Sequence, residues 1–170
     1  MAYAPIYALG ASNEVPGQIL KNLAGTLGLL DSDAFDRMTV GQRCNAIWRL
    51  VMALVGLDLF YLAQHPETPS LYESGVRYRT QQTLQGQPVN TDLWFNIPTA
   101  LHYGEGSCED LAAWRVAELR LRGSTPYERQ ARPYVHSREQ PNQLTVYHVV
   151  VRFPDNQEED PSALLGMPAW

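Results

Sequence analysis

An α+β fold is what this sequence predicts, and three observations carry that prediction. The first third of the chain is apolar with helical spacing, a glycine-framed helix opens at residue 107, and turn-separated strand patterns come after it. Helices first and strands after, without βαβ alternation, argue for N-terminal helices and then a helix packed on an antiparallel sheet. The 170 residues suit one compact unit, read as a helical region over 1–65 and a core over 66–170. Hydrophobic residues make up 45% of the chain, enough for an ordinary globular core.

Residues 15–30 place Ile19, Leu20, Leu23, Leu27 and Leu30 at three- and four-residue intervals, a helix weakened by Gly25 and Gly28. A longer helix begins at Thr39, where Thr39 and Gln42 have capping-box spacing, and ends near His65 and Pro66. Ile47, Trp48, Val51, Met52, Val55, Leu59 and Phe60 give it an apolar face for the core. After a turn-rich connector, residues 76–80 alternate Val76, Tyr78 and Thr80 against Arg77 and Arg79, a half-buried strand with the arginines outward. Residues 86–92 read as loop, and a short helix runs from Pro98 to Gly104.

The clearest helix spans 107–122. Ser107 and Asp110 cap its start, Gly123 follows its end, and acids in the first turn and arginines in the last complement its dipole. Cys108, Ala112, Val116 and Leu119 share one side of it, so the cysteine opens the helix on its apolar face. Strands are expected over 127–137, 144–153 and 158–160, with turns between them.

Net charge is −5, which gives no attraction for a phosphate backbone, so nucleic acid is not the expected partner. The most apolar run, 50–57, is far short of the roughly 20 residues that span a bilayer, so no membrane partner is expected either. The first residues lack the basic and apolar regions of a secretion signal. Cys44 and Cys108 are too few for a disulfide framework and sit in unlike surroundings; both read as free thiols made in a reducing compartment.

The sharpest chemical signal is Gly104-Glu105-Gly106-Ser107-Cys108-Glu109-Asp110. The glycines let the chain turn tightly into a helix whose free amides favour a thiolate on Cys108, while Glu109 and Asp110 oppose it. Dipole and surface-charge effects are each about 0.3–1 kcal/mol, so a reactive cysteine needs a histidine. Of His65, His102, His136 and His148, the last stands out: Val149-Val150-Val151 mark its strand as buried, where an imidazole needs a polar partner or a task. Asp160, past the next turn, comes near it by hairpin pairing. His102 and His136 are the other candidate bases and Asp155 the other candidate acid. No CxxC or HxxxH spacing supports a metal, and no cofactor is implied.

The pattern Gly-x-Gly-x-Cys108-x-Asp110-x-Ala112, then His148-Val on a strand, then Asp160-Pro161, resembles the transglutaminase-like superfamily over about residues 92–167. Gly75 to Tyr78, Trp114 to Glu118, and Glu159 to Ser162 with Leu165 to Met167 are similar to its small phage-encoded branch. That resemblance implies a papain-like layout with Cys108 as nucleophile, His148 as base and Asp160 as orienting acid. It implies thiol-dependent acyl transfer on protein or peptide amides, ending in hydrolysis or crosslinking, with Trp94 or His102 as an oxyanion or groove residue. Ser107 stands where many members have aspartate, and Val150 where many have tryptophan. The alternatives are a phage structural or assembly protein that keeps the fold without using the triad, and a wall-cleaving cysteine endopeptidase. Phage structural proteins are then further partners, and the setting implied is the host cytoplasm during synthesis, with the virion as a second location.

Overall fold

The computed structural model describes residue 35 and residues 37–80, 83–88, 93–141 and 144–170; the helix expected over 15–30 lies outside them. Helix α1 (Val40–Gln64) begins at Thr39, whose hydroxyl accepts from the Gln42 amide while Gln42 Oε1 accepts from the Thr39 amide at 2.8 Å. It ends where the His65 amide returns to the Tyr61 carbonyl, just before Pro66. Leu50, Val51, Leu54, Val55 and Leu62 are buried at helical spacing and form the face that packs along the cysteine helix. By length and composition α1 is apolar enough to cross a bilayer, with mean hydropathy 1.7 over an 18-residue window, half of it buried inside the protein. The eight-residue run at 50–57 therefore understated its apolar length.

β1 (Arg77–Tyr78) is shorter than expected, and its alternation slips: Arg77 is exposed, but Arg79 is buried. β2 (Thr83–Leu84) and β3 (Gln87–Pro88) form a small hairpin where a loop was expected from residue 86. Gln85 and Gly86, at φ 49° and 74°, supply its two positive-φ turn positions. Helix α2 (Ile97–Tyr103) is capped by Asn96, whose Oδ1 accepts from the Thr99 amide at 3.3 Å. Gly104 ends it in the left-handed conformation, φ 73°, which a side chain would resist. The chain passes at once into β4 (Glu105–Gly106), which pairs parallel with β1, and into α3 (Cys108–Arg122).

β5 (Arg132–Glu139), β6 (Thr145–Arg152) and β7 (Glu158–Glu159) form one antiparallel sheet in that order. The first of these was expected to start at 127. It starts later because Glu128 Oε2 accepts from the Ser124 and Thr125 amides and holds a tight turn there. Likewise Asp160 does not belong to the third strand: it caps the short helix α4 (Pro161–Leu164). Val135, Val149 and Val151 join Leu111, Ala112 and Val116 of α3 and Leu54 of α1 in one hydrophobic core. The architecture is α+β, with the cysteine helix packed between α1 and the antiparallel sheet.

Two buried acids fasten these pieces. Asp58 of α1 accepts from the Ile97 amide at 2.9 Å and so fixes the start of α2; burial pushes its carboxyl well up from the usual range. Asp110 of α3 accepts from Arg79 Nη2 at 3.2 Å, from the Phe95 amide at 2.7 Å and from the Ser107 amide at 2.9 Å. Arg79 also donates to the Leu93 carbonyl at 2.9 Å and lies over the Phe95 ring at 4.3 Å. Burial pushes the Asp110 carboxyl up, against the pull of Arg79 and the two amides.

Removing one partner of a buried pair leaves the other uncompensated. Asp110→Ala should therefore lower the unfolding free energy by about 3–5 kcal/mol in urea titrations. A loss under about 1 kcal/mol, the scale of an exposed pair, would contradict this role.

Candidate active site

Three short elements set the cysteine. Gly104 turns α2 into β4, β4 is held by β1, and Asp110 ties the Ser107 amide to Arg79. Cys108 is thereby the first residue of α3, as expected, and the residue is 8% exposed. It approaches the sheet at a defined place. The odd-numbered amides of β6 point to the β7 side, as Phe153 shows by donating to the Gln157 carbonyl at 2.9 Å. β7 pairs only with Val151 and Arg152, so the Val149 amide is left facing the sulfur at the strand edge. His148 is the residue before it.

His148 and Asp160 meet as expected. His148 Nε2 lies 2.8 Å from Asp160 Oδ2, and the imidazole is almost wholly buried. The other carboxylate oxygen accepts from the Ala163 amide at 3.1 Å, so helix α4 holds the acid in place. Burial pushes the Asp160 carboxyl up, but the His148 hydrogen bond and the Ala163 amide outweigh it and leave the group below its ordinary value. An ionised carboxylate can only accept, so Nε2 carries a proton, and Nδ1 is the nitrogen that a neutral imidazole would offer as a base. That is the tautomer a general base for a thiol requires.

The thiol itself is held differently from the expectation. Cys108 Sγ donates to Glu109 Oε2 at 3.1 Å; among the described residues this carboxylate, not His148, is its hydrogen-bond partner. Burial first, and the Glu109 charge second, push the thiol well up from its ordinary value, while the Val149 amide pulls weakly the other way. The helix N-terminus was expected to favour a thiolate; here desolvation and an adjacent anion win, and the group rests as a neutral thiol. Tyr78 borders the same space: burial, then Cys108 and Glu109, push its phenol up to about 12.

The remaining candidates stand apart. Trp94 is half-buried against the hydrophobic core, and His102 is exposed on α2 with its ring edge-on to Tyr103 at 4.8 Å. Asp155 is exposed in the β6–β7 turn, accepting from Tyr127 Oη at 2.6 Å and from the Gln157 amide at 3.0 Å. His65 pairs with Glu67 at 3.2 Å. His136 lies directly across β5–β6 from His148 and pairs with Glu158 at 2.8 Å. Cys44 is half-buried and lines an open pocket of about 460 Å³ between α1 and β5. No cluster of histidine, cysteine and acidic residues suited to a metal occurs among the described residues.

Sequence reasoning missed two neighbours of the site. The sequence places Glu109 as a dipole complement whose charge opposes the thiolate, but not as a buried partner of the thiol: it is 4% exposed and accepts from Sγ. Trp170 carries no local signal, yet its ring lies 5.2 Å from the His148 ring, tilted by 30°. Comparisons with family models, with curated proteins and with solved structures found no match.

Glu109 supplies a test. Glu109→Gln removes the anion that disfavours the thiolate, so alkylation of Cys108 by iodoacetamide at pH 8 should rise, by about tenfold for a shift of one pKa unit. Mass mapping reads it, with Cys44 in the same sample as the reference. An unchanged or slower rate at Cys108 would contradict the electrostatic account.

Proposed function

We propose that this chain is a thiol acyltransferase acting on protein or peptide amides, with Cys108 as nucleophile, His148 as base and Asp160 as orienting acid. The observation that carries the proposal is the hydrogen bond at 2.8 Å between buried His148 and part-buried Asp160, with His148 next in sequence to Val149, whose amide faces the cysteine at the start of α3. Such a pair fixes one imidazole tautomer and stabilises the imidazolium that proton transfer creates.

The residues present dictate the steps. Cys108 leaves Glu109 and passes its proton to His148 Nδ1. The thiolate attacks the carbonyl carbon, and the charge that develops on the oxygen is met by the Cys108 backbone amide and one upstream donor. His148 gives its proton to the leaving amine, the C–N bond breaks, and a thioester remains. Water then yields the acid and completes hydrolysis, or a second amine yields a new amide. Lys21 is the single lysine of the chain, so extended crosslinking would need another protein to supply the amines. The sequence pattern favours a phage setting, with the host cytoplasm and the virion as locations and phage structural proteins as candidate substrates.

One observation favours a second proposal, a phage structural or assembly protein that retains the fold without the chemistry. In the state described the thiol is neutral, buried and bonded to a carboxylate. The two proposals separate on reaction with a peptide bearing an electrophile in place of its scissile amide, such as a peptidyl vinyl sulfone. Acyl transfer predicts covalent labelling at Cys108 that falls at least about a hundredfold in His148→Ala, the usual scale of general-base loss. Labelling at Cys44 alone, or equal labelling with and without His148, would favour the structural protein.

A further inference from the structure

The face of the sheet that carries His148 is covered by the segment after α4. His136 and His148 are direct cross-strand neighbours, and Arg138 lies two residues further along β5, so all three side chains project from one face. The indole of Trp170 lies across them. Its centroid is 5.2 Å from the His148 ring at an interplanar angle of 30°, and 5.8 Å from the His136 ring at 45°. The Arg138 guanidinium carbon stands 4.8 Å from the indole centroid. Both imidazoles are themselves fixed, His148 by Asp160 and His136 by Glu158, each at 2.8 Å. The floor is therefore rigid, while the ring on it is not enclosed: Trp170 is 38% exposed.

We propose that the seat filled by the Trp170 indole, formed by His148, His136 and Arg138, is the subsite for an aromatic side chain of the substrate, and that Trp170 occupies it as an internal competitor. The chemistry of the seat selects the ligand. A guanidinium is attracted to the face of an aromatic ring, and indole is the strongest such partner. Two imidazoles prefer offset or tilted contact with another ring, which an aliphatic chain cannot return. His148 belongs to both the seat and the triad, so an aromatic side chain here would set its own backbone amide beside the base. The inference rests on the acyl-transfer proposal for its meaning, but the binding it asserts does not require turnover.

The test uses the full chain and the proton signals of the histidine rings by NMR. N-acetyl-L-tryptophanamide added to Trp170→Ala should shift the His136 and His148 ring signals saturably, and N-acetyl-L-leucinamide at the same concentrations should not. The unsubstituted chain should need at least about tenfold more of the tryptophan ligand, because a tethered ring competes at millimolar or higher effective concentration. His65 and His102 signals at their original positions mark an intact fold; if they move, Trp170→Leu replaces the variant. The same shifts in a Cys108→Ala, Trp170→Ala chain would support the subsite independently of any chemistry at sulfur. No shift in an intact variant, equal shifts with the leucine ligand, or equal affinity with and without Trp170 would overturn it.

Discussion

The carboxylate of Asp110 holds together three parts of the chain that are distant in sequence. It receives Arg79 from the end of β1, the Phe95 amide ahead of α2, and the Ser107 amide at the start of its own helix. Without it, the turn from β4 into α3 would have no fixed orientation, and Cys108 would not be aimed at the edge of β6. Taking a carboxylate and a guanidinium out of water is expensive, by several kcal/mol per ion, and is tolerated only when their remaining hydrogen-bonding groups are met. Here most of those needs are met by two backbone amides, backbone carbonyls and the face of Phe95. The geometry of the cysteine is thus bound up with the core itself.

That geometry leaves the site assembled but closed. His148 and Asp160 are already paired, with Asp160 held at the start of α4 and His148 pinned on β6. The sulfur is the part out of place, bonded to Glu109 in a pocket whose burial and charge both favour the neutral thiol. The indole of Trp170 lies over the base. A thiol kept neutral and covered is protected from oxidation and from stray acylation. Under the acyl-transfer proposal, opening requires the Cys108 side chain to leave Glu109 and the Trp170 indole to leave His148.

Much of this was legible in the sequence where the signal is local. The capping pair at Thr39 and Gln42, the Asp110 carboxylate over the Ser107 amide, and the left-handed Gly104 are each written within a few residues, and all three are found. The approach of His148 to Asp160 was legible too, since a hairpin turn separates them by 12 residues. Arg79 was not, because period-two alternation assigns it outward, while Asp110, 31 residues on, and the Leu93 carbonyl hold it inward. Glu109 looked like one more acid in a first turn; that it is buried against the thiol depends on how the sheet closes over it. Trp170 comes after the last helix with no periodicity to place it, and its seat is made by strands far upstream. Contacts of this kind belong to tertiary packing, which no local pattern encodes.

The central claim is that Cys108, His148 and Asp160 act as one unit once the thiol leaves Glu109. A crystal structure of the chain with a peptidyl vinyl sulfone bonded to Cys108 tests it most directly. The account predicts Sγ away from Glu109 and within about 4 Å of His148 Nδ1, a reach that allows proton transfer, with His148 Nε2 still on Asp160 Oδ2. A sulfur more than about 6 Å from both imidazole nitrogens, too far for direct transfer, or a His148 parted from Asp160 would contradict it.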